Sequence, residues 1–178
     1  AHHISEADSL TSAEYLKLIG DLERIADHSV NILGSAEEMQ QKGIVFSDTA
    51  KSELKQMLDA VREIIGLSDT AFTQHDLEAA SMVEPLEQVV DELKDTLRTR
   101  HIQRLQSGAC SIDAGFVLSD LLTNLERVSD HCSNIAGCVL DAEERNLNLH
   151  ESLSVYRKSS EDFRQAFASY RSKYALQA

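Results

Sequence analysis

"NLERVSDHCSNIAG", residues 124–137, and "DLERIADHSVNILG", residues 21–34, are two versions of one helix. Laid on one another they match Leu22 with Leu125, Glu23 with Glu126, Arg24 with Arg127, Asp27 with Asp130, His28 with His131, Asn31 with Asn134, Ile32 with Ile135 and Gly34 with Gly137. The core positions drift in kind, from Ile25 to Val128, Ser29 to Cys132 and Leu33 to Ala136, while acid, base, acid, imidazole and amide stay identical. Packing alone does not demand that pattern, so the chain carries an internal repeat whose polar face has a task of its own. On a helix, positions i and i+4 stand one above the other. Glu23 with Asp27, and Glu126 with Asp130, therefore each put two carboxylates a turn apart on one face.

Outward from the first copy, Leu18, Leu22, Ile25, Ile32, Ala36 and Met39 recur at helical spacing and predict an amphipathic helix over 11–42, ended by Gly43. Ser47 or Asp48 caps a second helix reaching about Gln74, with Leu54, Leu58, Val61, Ile65 and Phe72 on its stripe. Asp76 heralds a third, whose Leu86, Val90, Leu93, Leu97 and Leu105 stop at Gly108. Pro85 either begins the main part of that helix or sits inside a continuous, kinked one. The fourth runs from 111–113 to about 145 on Leu118, Leu121, Leu125, Val128, Cys132, Ile135 and Val139, and a more polar fifth covers about 150–174. Five antiparallel helices with short connections make an all-α bundle, and no linker divides it.

Composition agrees with helices: 1 Pro, 7 Gly and no Trp leave the chain rich in residues that lose little rotamer freedom in a helix. With 30 acidic and 17 basic residues the net charge is −13, and the only basic cluster, "RTRHIQR" (98–104), is short. A nucleic-acid backbone would be repelled, whereas metal cations suit this balance. Cys110, Cys132 and Cys138 lack CxxC spacing and read as small buried hydrophobes in a reducing compartment, Cys132 being nearest to anything chemical. His2, His3, His75, His101 and His150 read as exposed. No apolar run approaches the ~18–20 residues of a membrane span. No nucleophile with a supporting base and no Gly-rich phosphate loop is present, which argues against an enzyme.

Two carboxylates a turn apart repel, so a cation is expected between them. In "EPLEQVVDELKD" (84–95) the third helix repeats the spacing with Glu87 and Asp91. If the third and fourth helices pack antiparallel across Gly108, Glu87, Asp91, Glu126 and Asp130 converge as oxygen ligands for Fe, Zn, Mn or Mg. His28 and His131 lie beside the row and Asn31 and Asn134 a turn beyond it, as ligands or as hydrogen-bonding supports. The plain alternative is that Arg24 and Arg127 neutralise the acids and the row is a solvated face. A di-metal carboxylate oxidase needs Glu-x-x-His at i, i+3; here the histidine follows Asp130 directly, so the spacing fails.

"LERIADHSVNI" and "LERVSDHCSNI" closely resemble the "ERIGDHAxNI" signature of the PhoU family, with Ala26 and Ser129 where that signature usually has Gly. "HDLEAASMVEPLEQVVDEL" resembles the middle helix of a PhoU repeat. The segment from "RHIQRLQSGAC" through "SNIAG" resembles the PhoU-like cytoplasmic tail of bacterial sodium/phosphate cotransporters. The resemblance implies a bundle of three-helix repeats in which residues 47–145 form a complete repeat, 10–42 the last helix of an incomplete first one, and 148–176 a C-terminal helix. It implies a non-catalytic, metal-binding regulatory domain of phosphate transport or signalling, with Glu87, Asp91, Glu126 and Asp130 as one metal site and Glu23 and Asp27 as half of another. A homodimer through the first helix and a transporter membrane domain or phosphate-signalling protein as partner follow from the same reading, with phosphate as a further ligand. The domain is then cytoplasmic, tethered through a transmembrane part outside this chain. A helical interaction module without metal is the competing expectation.

Overall fold

The computed structural model describes residues 6–144 and 149–176. Five helices follow in order: α1 (Glu6–Lys42), α2 (Asp48–Gln74), α3 (Leu77–Gln106), α4 (Ile112–Glu144) and α5 (Leu149–Lys173). Among the described residues there is no strand, and no helix is long and apolar enough to cross a membrane.

Local chemistry sets the helix ends. Ser47 Oγ accepts the Ala50 N–H at 3.2 Å, and the Asp76 carboxylate accepts the Ala79 N–H at 3.0 Å, each satisfying a donor that the first helical turn leaves unpaired. The α3–α4 turn passes through Gly108 at φ +72°, a left-handed conformation that a Cβ would strain, and Ser111 Oγ then accepts the Ala114 N–H. This short turn makes α3 and α4 antiparallel neighbours. α1 begins at Glu6 rather than near residue 11, and α3 runs continuously through a buried Pro85, so of the two readings of that proline the single helix holds.

α2, α3 and α4 each pack on the other two, while α1 lies along α4 and α5 along α3. Met57, Ile64, Leu86, Leu97, Leu118 and Leu122 are fully buried between the three central helices. The α4 stripe is buried as the spacing predicts from Leu118 to Ile135, and Val139 at its end is half-buried. On α2 the inward arc is turned: Met57, Ala60, Val61 and Ile64 are buried and Ile65 is exposed, because α2 must face α3 and α4 together. α1 touches chiefly one helix and buries a narrow strip, Leu18 with half-buried Ile25, Ile32 and Met39, leaving Leu22 and Ala36 outside.

Two polar ties fasten α2 to its neighbours. Glu53 on α2, 5% exposed, accepts Arg100 Nη1 at 3.0 Å and Arg104 Nη1 at 2.9 Å from α3. At the far end of α5, Tyr170 and Tyr174 are buried, and Lys173 and Tyr174 both bond Glu63 of α2.

Candidate metal centre

The antiparallel register of α3 and α4 is read from cross-helix pairs: Ser133 Oγ donates to Glu84 Oε2 at 2.6 Å, Lys94 Nζ meets Glu126 Oε1 at 2.9 Å, and Gly115 backs onto His101. As the number rises along one helix it falls along the other, which brings the two i, i+4 carboxylate pairs face to face. Glu87, Asp91 and Asp130 each offer an oxygen, and these oxygens lie within 4.8 Å of one another. Among the described residues no other three His, Cys, Asp or Glu side chains come together in this way.

The electrostatics of the cluster are those of a site in want of positive charge. Burial pushes the Glu87 carboxyl up to about 7, and the charges of Asp91, Glu84 and Asp130 push the same way. Asp91 is raised as well, by burial and by Glu126, against a lowering influence from Lys94. Asp130 has a cation of its own, Arg127 Nη1 at 2.9 Å, but that arginine is half exposed, where ion pairs contribute little. Three carboxylate oxygens at this separation suit a hard or borderline cation, so the donor set fits the metal that the sequence suggests.

The raised Glu87 carboxyl fixes the sign of a pH effect. The folded protein holds the Glu87 proton more tightly than the unfolded chain does, so the stability it contributes is present below about 4.5 and lost as pH rises through about 7. The melting temperature of the metal-free protein is expected to fall over that window, with a shallower fall in Glu87→Gln. Equal slopes in thermal melts of the two proteins would count against this reading.

The other expected residues divide. Glu126 is 8% exposed and belongs to Lys94 rather than to the three-carboxylate group. Glu23 and Asp27 are exposed on α1, and among the described residues no acid of another helix gathers with them into a group of three. His28, His131, Asn31 and Asn134 turn toward the α1–α4 interface. His131 Nδ1 donates to Asp21 Oδ1 at 2.9 Å and Asn134 Nδ2 to the same oxygen at 3.2 Å. In the repeat's mirror, His28 Nδ1 donates to Asn124 Oδ1 at 2.8 Å and Asn31 Nδ2 to it at 3.1 Å. The two imidazoles stack with centroids 5.7 Å apart.

These residues therefore clasp one repeat helix to the other, and Asp21, 3% exposed, and Asn124 are the acceptors that sequence reasoning missed. They are equivalent positions, the first letters of the two quoted stretches, and the signal was available in that register. His101, expected to be exposed, is buried at 6% because Gly115 leaves room for it: a Cβ there would stand 2.8 Å from its Nε2. His75 is exposed as expected; His2, His3 and the side chain of His150 lie outside the described residues. Cys132 is buried and its thiol is pushed up to about 12 by that burial, which leaves it unreactive; Cys110 and Cys138 are half-buried.

A five-helix bundle with a carboxylate cluster between two antiparallel helices, and a polar clasp joining two copies of one helix, defines a repeat-built all-α protein. The PhoU domain family matches residues 54–139, from α2 into α4. The chain is 30% identical over 146 residues to the phosphate-specific transport system accessory protein PhoU homolog 1 of Thermotoga maritima, covering 82% of this chain and 62% of that protein. It is 25% identical over 121 residues to the PhoU homolog of Deinococcus radiodurans, covering 68% of this chain and 55% of that one. The chain belongs to the PhoU family. It spans less than two thirds of the length of either of these relatives, and no solved structure matches it.

Proposed function

We propose that the chain is a non-catalytic regulatory module of phosphate transport whose Glu87, Asp91 and Asp130 hold a divalent or trivalent cation of the Fe, Zn, Mn or Mg class. The observation that carries the metal reading is the meeting of three carboxylate oxygens from two helices, with Asp91, Glu84 and Asp130 as the charges that act most strongly on Glu87. The link to phosphate is supported by the names of the relatives, accessory proteins of phosphate-specific transport. A cation held by a few carboxylates keeps positions open for an anion, which gives phosphate a chemical route to the site. The partner on this reading is a transporter membrane domain or a phosphate-signalling protein.

The test is elemental analysis of the exhaustively dialysed chain, with thermal melts before and after chelation. Stoichiometric retained metal and a chelator-induced fall in melting temperature are expected, because a ligand bound only by the folded state stabilises it. A metal-free protein whose melting ignores added Mn, Fe, Zn and Mg supports instead a helical interaction module, a reading to which the Arg127–Asp130 pair lends itself.

α1 contributes a second element of the proposal. Tyr15, Ile19, Leu22 and Leu33 are exposed, yet their repeat equivalents on α4, Leu118, Leu122, Leu125 and Ala136, are buried in the bundle core. α1 is thus shaped like the last helix of a repeat, with Leu16 at 70% and Val30 at 66% exposure widening the apolar face. A face of this kind favours association, and a homodimer through α1 is expected by light scattering at micromolar concentration. A monomer there, or a dimer unaffected by Ile19→Glu with Leu33→Glu, overturns it.

A further inference from the structure

Which of the row's carboxylates is open to a cation is decided by a side chain outside the carboxylate pattern. Lys94 follows Asp91 by one turn of α3, and its ammonium lies 2.9 Å from Glu126 Oε1 with both side chains mostly buried, 19% and 11% exposed. The other oxygen of Glu126 faces Arg127 Nε at 3.8 Å. Glu87, Asp91 and Asp130 gather without Glu126, although the repeat places Glu126 in the same row as Asp130. The field of the pair still reaches Asp91, which feels Glu126 and Lys94 in opposite senses. An ammonium on a four-carbon stem is a point charge that can swing aside, unlike a guanidinium fixed by its planar fork.

We propose that Lys94 is a built-in counter-cation that occupies the Glu126 end of the carboxylate row and so limits both the number of metal ions the row accepts and the affinity with which it holds them. The inference rests on the metal reading above. Without Lys94, Glu126 is a buried carboxylate lacking its close cation, beside Asp91, and its attraction for a metal ion rises.

The experiment is calorimetric titration of Mn²⁺ into the dialysed full chain, its Lys94→Met and Lys94→Gln variants, and Lys94→Met combined with Glu126→Gln, each checked for helicity. Either single variant is expected to bind Mn²⁺ about tenfold more tightly or better, the scale on which groups around a metal site act, with an additional equivalent bound. Adding Glu126→Gln is expected to abolish the gain. Wild-type binding that stays the same or weakens in both folded single variants overturns the role of Lys94 and leaves the metal reading standing. No Mn²⁺ uptake by wild type or by either variant overturns both.

Discussion

Asp91→Asn combined with Asp130→Asn is expected to abolish metal binding while leaving the metal-free protein as stable as wild type or more so. The two substitutions remove two of the three gathered oxygens, and direct ligands matter more than the surrounding groups whose loss costs about 10–100-fold in affinity. They also remove two of the charges that push Glu87 up, so the metal-free fold is relieved of repulsion. The two effects have opposite signs, which separates loss of a site from loss of a fold. At a metal concentration 100 times the dissociation constant, wild type gains about 2.7 kcal/mol and the variant nothing. Thermal melts with and without Mn²⁺ read both quantities, and a variant that still gains stability with metal would place the ions elsewhere.

The largest loss of stability is expected from Glu53→Gln. The Glu53 carboxylate is the only described bond acceptor for Arg104, whose Nε and Nη2 are already buried without partners, and it also holds Arg100. Taking one member from a buried ion pair costs about 3–5 kcal/mol, because the remaining charge keeps its desolvation penalty and loses its compensation. For a domain of this size that lowers the melting temperature on the order of 10 °C. Replacement by leucine together with Arg104→Met is expected to recover much of the loss, since a packed apolar pair carries no such penalty. A change below about 1 kcal/mol in chemical denaturation of Glu53→Gln would show that solvent screens the cluster.

The bundle was legible to different depths along the chain. The α4 stripe could be read residue by residue because that helix is buried on a wide arc, whereas α1 and α2 each present an arc whose centre depends on which helices they meet. Leu22 and Ile65 obey the helical period and are still exposed, for period reports spacing and not direction. Glu87 and Asp91 could be found because their spacing is a property of one helix. Asp21 and Asn124 were overlooked because they differ in kind, Asp in one copy and Asn in the other, although both serve as acceptors for the histidine and asparagine of the opposite copy. His101 was misplaced because its neighbours in sequence are basic, while the residue that makes room for it, Gly115, belongs to the next helix.

The sequence by itself determined five helices, their caps and turns, the repeated acid–base–acid–imidazole–amide face, and the PhoU family to which it belongs. Each of these rests on 3.6-residue geometry or on local hydrogen bonds that a few consecutive residues specify. Tertiary structure alone decided that Asp130 joins Glu87 and Asp91 while Glu126 goes to Lys94, and that the histidines tie α1 to α4 instead of lining the carboxylate row. Those outcomes depend on the rotation and register of one helix against another. Both are set by the summed fit of core side chains far apart in sequence, and a shift of one residue would turn a different face toward the neighbour.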